Sequence, residues 1–183
     1  MKLKIENADQ KVEEFLQKVF NMLLKNLEQE CGTNCTVSTD NTVIINIKTG
    51  SDIDLKLNSD EAYNLVVDTK EYQSNSIVTA NITSVNVFGA RNAIETFSQL
   101  VASYRNQEGN SGLIMVGTAK VQDSPTYNYR GVLLDTARNY LPIEVIKRQI
   151  NGMAASKLNV LHWHITDSQS FPLVSKSVPS LTK

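Results

Sequence analysis

The feature that most constrains the fold is a pair of strand-like runs in the last third of the chain, each with apolar residues on both faces. The first run is Y-N-Y-R-G-V-L-L-D-T-A-R at 127–138, and the second is K-L-N-V-L-H-W-H-I at 157–165. Between them Pro142 marks the first turn of a helix, and apolar residues recur at helical spacing from Ile143 to Ala154. Strands of this kind joined by a crossover helix are typical of a parallel sheet covered by helices, so the pattern predicts a βαβ unit.

A repeated βαβ pattern would build a (β/α)8 TIM barrel, but a closed barrel needs about 250 residues. The whole chain has 183 residues. We therefore expect residues 126–183 to form the first βαβ portion of an incomplete barrel. The Asp-Ser-Pro sequence at 123–125 reads as the boundary that precedes it.

Residues 1–125 have a different pattern, which predicts an α+β domain with two helices and an antiparallel sheet. Apolar residues repeat at three and four from Asp9 to about Glu30, as on one face of an amphipathic helix. Four β-rich runs follow, separated by turn residues: T-V-I-I-N-I-K, D-I-D-L-K-L, Y-N-L-V-V-D and S-I-V-T-A-N-I. Helical spacing then returns in N-V-F-G-A-R-N-A-I-E-T-F, and we expect that helix to include Val101 and Tyr104.

Composition narrows the possible partners. The chain is 41% hydrophobic, enough for a buried core, and its 18 basic and 19 acidic residues leave a net charge of -1. A balanced charge does not favour nucleic acid or an anionic membrane, so we expect neither as a partner. No apolar run approaches the roughly 20 residues that a spanning helix needs.

Cysteines and acceptor tripeptides bear on the cellular compartment. Cys31 and Cys35 lie close enough for a disulfide if the chain turns at Gly32, and we favour this over two free thiols. Asn34 and Asn81 both begin Asn-X-Thr patterns, which are glycosylation acceptors in a secretory lumen. The start, M-K-L-K-I-E-N, lacks the apolar region of a signal peptide. If the disulfide and the glycosylation are both real, we expect that a leader has been lost.

The two histidines of the chain, His162 and His164, flank its one tryptophan, Trp163. In a strand both histidines point to the same face and could hold a metal ion, but catalytic zinc needs about three protein ligands and no further histidine exists. Packing inside the sheet is the simpler interpretation. Arg138 and Asp167 end the two strands at the edge where barrels build their active sites. A guanidinium beside a carboxylate suits vicinal hydroxyls, although both residues could be plain surface charges.

The run R-G-V-L-L-D-T-A-R-N-Y-L-P-I and the later M-A-A-S-K-L-N-V-L-H-W-H-I-T-D-S-Q-S-F-P closely resemble the opening of the catalytic barrel of family 20 glycoside hydrolases, the β-N-acetylhexosaminidases. The A-R-N-Y and T-D-S-Q-S-F-P forms look most like the insect enzymes. F-G-A-R-N-A-I-E-T-F-S-Q-L is similar to the second helix of their amino-terminal α+β domain.

The resemblance implies that Arg138 hydrogen-bonds the C3 and C4 hydroxyls of a terminal N-acetylhexosamine on a chitooligosaccharide or glycan. It implies that Asp167 supports the catalytic machinery through a histidine on a later strand, and that His162, Trp163 and His164 are structural. We expect no cofactor and no metal. An extracellular or lysosomal protein is expected, and a homodimeric parent is left open.

The family's reaction is substrate-assisted: the acetamido oxygen attacks the anomeric carbon, and an Asp-Glu pair in H-x-G-G-D-E assists. That motif does not occur in the 183 residues, and Asp60-Glu61, which lacks the motif's histidine and glycines, is interpreted as part of a turn. We therefore expect this piece alone to be inactive. Two other interpretations remain: a non-catalytic truncated paralogue that binds sugar or a partner, and a metal-dependent barrel hydrolase that uses His162 and His164.

Overall fold

The computed structural model of the chain describes residues 1–6, 8–32, 35, 41–72 and 75–182. The chain forms two compact units, Met1–Thr126 and Tyr127–Lys183. Among the described residues, no helix is both long enough and apolar enough to cross a membrane.

The described residues of the first unit form seven strands and two helices. In chain order they are β1 (Lys2–Glu6), α1 (Gln10–Cys31), β2 (Asn41–Lys48), β3 (Tyr63–Glu71), β4 (Ser76–Ser84), α2 (Val87–Gln99), β5 (Val101–Arg105), β6 (Ser111–Met115) and β7 (Ala119–Asp123). Five of the strands form one sheet in the order β1-β2-β4-β3-β7, and β5 pairs with β6 in a separate hairpin.

Helix α1 matches the predicted span from Asp9 to about Glu30. It begins because the Asp9 side chain accepts a hydrogen bond from the Val12 amide at 2.9 Å, which satisfies one of the unpaired N–H groups of the first turn. It ends at Gly32, whose φ of 80° is readily adopted only without a Cβ and whose N–H donates to the Glu28 carbonyl at 3.2 Å. The predicted apolar face is buried, except for Phe15 and Val19, which are half-buried.

Replacing Asp9 with alanine should lower the free energy of unfolding by about 1 kcal/mol, because the cap of α1 is lost. Urea unfolding followed by far-ultraviolet circular dichroism measures this change. Lys18→Ala, at an exposed position on the same helix, is the matched control and should change the stability much less. Equal effects of the two substitutions would show that the cap contributes nothing.

The antiparallel sheet predicted from the sequence is wrong, because the sheet is mixed. β2 runs parallel to both β1 and β4, whereas β3 pairs antiparallel with β4 and β7. The D-I-D-L-K-L run is not a strand. The Asp52 carboxylate accepts from the Asp54 amide at 3.0 Å, and this local bond competes with strand pairing. Residues 49–62 thus form a long connection, which allows β4 to insert between β2 and β3.

The second helix is shorter than predicted. Asn86 caps α2 by accepting from the amides of Phe88 and Gly89, and the helix ends at Gln99. Val101 and Tyr104, predicted to continue the helix, lie instead in β5, because β5 has a partner strand in β6. The polar stretch after β5 is therefore the turn of a hairpin.

Both helices of the first unit pack on the same face of the five-stranded sheet, around one apolar core. The strand register produces this face, because residues that lie opposite one another on β2, β4 and β3 are buried together. Ala80 pairs with Ile45 on one side and Val67 on the other. Asn81, the next residue of β4, points to the opposite face and is exposed. Alternation along these strands therefore separates a core face from a solvent face.

A disulfide joins Cys31 at the end of α1 to Cys35, the pairing that the sequence favoured. Cys31 is buried. The bond therefore ties the last turn of α1 to the residue that bridges Ser111 at the start of β6. The other residue named in this segment, Asn34, lies outside the described residues.

The second unit is the predicted βαβ arrangement, formed by β8 (Gly131–Asp135), α3 (Ile143–Ala155) and β9 (Val160–His164), with a 3-10 turn at Pro179–Thr182. The strands are parallel, with Gly131 opposite Val160 and Asp135 opposite His164. The sequence predicted that both faces of these strands are buried, but in this unit Leu133 is 57% and Trp163 is 40% exposed. Ile146 and Met153 of α3 are buried.

Candidate active site

The loops that follow β8 and β9 bring the predicted pair, Arg138 and Asp167, into direct contact. Both loops leave the sheet at the same edge because the strands are parallel, and the Thr136 amide extends the ladder by donating to the His164 carbonyl at 3.0 Å. Nη2 of Arg138 lies 3.1 Å from Oδ2 of Asp167. The structure therefore places the two charges at the carboxyl end of the parallel strands, where active sites of such sheets are built.

Asp167 is held firmly by its own turn. Its Oδ1 accepts from the amides of Gln169 and Ser170, both at 2.8 Å, and its own amide donates to the Ser170 carbonyl. Its side chain is only 11% exposed. The T-D-S-Q-S motif thus forms a tight turn that fixes one carboxylate oxygen and leaves Oδ2 for the guanidinium.

Sequence reasoning missed Asp135, the last residue of β8, which also binds Arg138. Its Oδ1 accepts from the amides of Ala137 at 3.0 Å and Arg138 at 3.2 Å. Its Oδ2 lies 3.0 Å from Nη1 of Arg138. The signal that could have found it is the Asp-x-x-Arg spacing directly after a strand, since a short acid there bonds the backbone of the following turn.

The two loops are also joined by bonds outside the ion pairs. The Ser170 hydroxyl donates to the Ala137 carbonyl at 2.5 Å, and Nε1 of Trp163 donates to the Thr136 hydroxyl at 2.8 Å. In each bond, one residue follows β8, and the other lies in β9 or in the loop after it. Sequence reasoning did not identify Ser170 or Thr136, because these contacts cross between segments that are distant in the chain.

The H-W-H triplet falls into three different environments. Nε2 of His164 lies 3.4 Å from Oδ2 of Asp167, so His164 borders the charged cluster. Trp163 is held by Thr136, and His162 is exposed. Within the described ranges, no three or more histidine, cysteine, aspartate or glutamate side chains form a group that could hold a metal ion.

Hydrogen bonding lowers the pKa of both carboxyl groups. The backbone N–H of Gln169 is the largest cause that lowers the pKa of Asp167, and Ser170, His164 and Arg138 act in the same direction. The pKa of Asp135 is lowered chiefly by the backbone N–H of Arg138, and its guanidinium adds to this. Both effects favour the charged form of a carboxyl group.

The Asp167 carboxyl should titrate with a midpoint below its ordinary pKa of 3.8. Because the folded pKa is lowered, the stabilisation from this group is complete above the unfolded pKa and is lost as the pH falls through the folded pKa. Following the Cγ chemical shift by NMR from pH 6 to 2 measures the midpoint. In Arg138→Ala the midpoint should rise but stay lowered, because the Gln169 amide remains. A wild-type midpoint at or above 3.8 would contradict the bonding described.

The chemistry of the cluster suits a neutral ligand that carries several hydroxyls. Arg138 is 57% exposed, and its guanidinium has five N–H donors, of which one on each Nη faces a carboxylate. The exposed guanidinium therefore retains donors for oxygen acceptors. Because the cluster holds two carboxylates around one arginine, it does not favour an anionic ligand.

Both units match known protein families. The family described as beta-acetyl hexosaminidase like matches residues 2–100, and the family described as glycosyl hydrolase family 20, catalytic domain, matches residues 127–183.

Individual relatives agree with these families. The chain is 48% identical over 130 residues to the chitooligosaccharidolytic beta-N-acetylglucosaminidase of Bombyx mori, covering 71% of this chain and 21% of that protein. It is 47% identical over 130 residues to beta-hexosaminidase 1 of Arabidopsis thaliana, covering 71% of this chain and 24% of that protein. These similar values do not separate an insect from a plant relationship. The chain spans about a quarter or less of these relatives.

Solved structures show the same relationship at the level of the fold. A chitobiase of Flavobacterium johnsoniae matches with a TM-score of 0.62 and 27% identity, over 98% of this chain and 26% of that one. An exo beta-N-acetylglucosaminidase of Vibrio harveyi in complex with N-acetylglucosamine matches with a TM-score of 0.62 and 26% identity, over 98% of this chain and 24% of that one. With a family match in each unit and relatives near half identical, this chain belongs to glycosyl hydrolase family 20.

Proposed function

We propose that the chain is the substrate-binding front part of a β-N-acetylhexosaminidase, which removes terminal non-reducing GlcNAc or GalNAc from chitooligosaccharides or glycans. The observation that carries this proposal is the Arg138–Asp167 ion pair at the carboxyl end of two parallel strands. Relatives named for chitooligosaccharides and for N-acetylglucosamine support the substrate class.

In this proposal Arg138 donates hydrogen bonds to the C3 and C4 hydroxyls of the terminal sugar. Its exposed guanidinium and retained donors support the role. Asp167, which is mostly buried and held by two amides, sets the direction of that guanidinium and supports catalytic groups deeper in the site. His164 lies beside Asp167 and has a structural role, as do Trp163 and His162.

The proposed reaction is substrate-assisted hydrolysis. The acetamido oxygen of the sugar attacks the anomeric carbon as the leaving oxygen is protonated, and water then opens the cyclic intermediate. The protonating glutamate and the aspartate that orients the acetamido group belong to an H-x-G-G-D-E motif, which the 183 residues do not contain. The purified 183-residue chain should therefore bind the sugar weakly at best and hydrolyse nothing.

We further propose that residues 126–183 are the first βαβ portion of a (β/α)8 barrel and that residues 1–125 are the amino-terminal domain of the enzyme. The parallel pairing of β8 and β9 supports the barrel. Leu133 and Trp163 are large apolar residues that are exposed here. In a complete barrel, further strands and helices would cover both faces of β8 and β9, so this exposure also supports the proposal.

A chimaera tests the proposed function. The Bombyx mori relative would be produced with its corresponding segment replaced by these 183 residues, and hydrolysis of an aryl N-acetyl-β-glucosaminide would be measured. We expect the chimaera to be active and the purified 183-residue chain to be inactive. A folded chimaera without activity would contradict the proposal, and hydrolysis by the purified chain would contradict the assigned division of roles.

A secretory location, extracellular or lysosomal, is proposed as well. The Cys31–Cys35 disulfide supports an oxidising compartment. Asn81 lies on the solvent face of the sheet with Thr83 two residues later on the same face, and both are exposed, so a glycan on Asn81 would meet no core residue.

A glycan on Asn81 would add a mass that can be measured. Chain secreted from eukaryotic cells behind an added leader should lose the mass of one glycan in Asn81→Gln and in Thr83→Ala. Asn46→Gln, which changes the hydrogen-bond partner of Asn81 but not the acceptor tripeptide, should keep that glycan. An unchanged mass in Asn81→Gln would exclude this site.

A further inference from the structure

Asp135 contacts both the backbone and the side chain of Arg138. Its Oδ1 accepts from two consecutive amides of the turn, Ala137 and Arg138, and its Oδ2 accepts from Nη1 of Arg138 at 3.0 Å. One carboxylate thus fixes both the backbone from which the arginine projects and one arm of its guanidinium.

The other arm of the guanidinium is fixed independently. Nη2 lies 3.1 Å from Oδ2 of Asp167, which comes from the loop after the neighbouring strand. Two carboxylates, one at the end of β8 and one in the loop after β9, therefore hold the two Nη atoms. An arginine held at only one Nη can still rotate about that contact, whereas one held at both has a fixed plane.

We propose that Asp135 is a positioning residue, which sets the plane of the Arg138 guanidinium for the sugar hydroxyls together with Asp167. The identity of the ligand as a sugar rests on the proposed function. The positioning of Arg138 by Asp135 and Asp167 rests only on the contacts described above. Asp135 does not touch the substrate in this account, and its effect passes through Arg138.

The two oxygens of the Asp135 carboxylate have different partners, so a substitution can change one set of contacts and keep the other. Asp135→Asn retains an oxygen that accepts from the two amides, and it replaces the charged acceptor of Nη1 with an N–H donor that cannot accept from the guanidinium. Asp135→Ser keeps a hydroxyl acceptor for the turn and is the second variant if the asparagine variant folds poorly. Glu144→Gln, an exposed acid paired with Lys147 on α3, is the matched control.

The first measurement uses the 183-residue chain without any ligand. Nitrogen-15 NMR of the Arg138 side chain should show slow rotation of the guanidinium in wild type and Glu144→Gln, and faster rotation in Asp135→Asn. Unchanged rotation in a folded Asp135→Asn or Asp135→Ser chain would overturn the proposal. Because no sugar is involved, this result stands or falls separately from the proposed function.

The second measurement uses the active chimaera described above. Asp135→Asn should lower kcat/KM on the order of 10- to 100-fold, as misplacement of a positioning group does, and Glu144→Gln should not. In an Arg138→Ala background, Asp135→Asn should have almost no further effect. An equal loss in that background would show that Asp135 acts independently of Arg138 and would overturn the proposal. An inactive wild-type chimaera would instead reject the proposed function.

Discussion

Arg138→Ala in the chimaera should lower kcat/KM for an aryl N-acetyl-β-glucosaminide by about 100-fold or more. Hydrogen bonds from a charged donor contribute about 1.5–3 kcal/mol each, and about 1.4 kcal/mol corresponds to a factor of ten. Loss of two such bonds to the sugar therefore predicts at least this effect. The substitution also leaves Asp135 and Asp167 without the cation that lies between them.

Arg148→Ala is the matched control, because Arg148 is an exposed arginine of α3 within the same unit. It should leave kcat/KM within about twofold, since surface substitutions away from a site have small effects. Circular dichroism of each variant establishes that it is folded. If Arg138→Ala retained wild-type activity in a folded chimaera, the arginine would not be a sugar ligand.

Phe97→Ala should destabilise the first unit by about 3–5 kcal/mol, the usual loss when a large buried aromatic is removed. Phe97 of α2 is fully buried in the core between the helices and the sheet. Urea unfolding combined with hydrogen exchange of the β3 and β4 amides measures the effect on this unit.

The matched control for Phe97 is Met22→Ala on α1, since Met22 is 52% exposed and its removal creates no cavity. The control should change the free energy of unfolding by less than about 0.5 kcal/mol. A similar small change in Phe97→Ala would mean that α2 does not pack against the sheet as described.

The elements that could be predicted from the sequence are those determined by local pattern. Helix α1 follows from its apolar repeat between Asp9 and Gly32, and the βαβ unit follows from two apolar runs and Pro142. Strand order could not be predicted in this way. The insertion of β4 between β2 and β3 depends on pairing across more than thirty positions, as for Asn46 with Asn81.

Two local patterns were misleading for identifiable reasons. The alternation in D-I-D-L-K-L matches a strand, but the Asp52 side chain accepts from the Asp54 amide and Leu57 faces solvent. The helical spacing of Tyr104 is a coincidence of position, because a hairpin partner for β5 lies just beyond the polar turn. Tertiary pairing overrides local preference in such cases.

The site could be predicted as far as its location and its two principal charges. Arg138 and Asp167 follow from the rule that active sites form where parallel strands end. Asp135 and Ser170 could not be found by that rule, because their contacts depend on how each turn folds back onto its strand. The Asp-x-x-Arg spacing could have indicated Asp135, but no local spacing indicates the contact between Ser170 and Ala137.

The contact between Arg138 and the C4 hydroxyl is tested by comparing wild-type and Arg138→Ala chimaeras on an aryl N-acetyl-β-glucosaminide and on its 4-deoxy analogue. If Arg138 binds the C4 hydroxyl, removing that hydroxyl should lower kcat/KM strongly in wild type and hardly at all in Arg138→Ala. If the two losses instead multiply, the hydroxyl and the arginine act independently, and the proposed sugar contact is wrong.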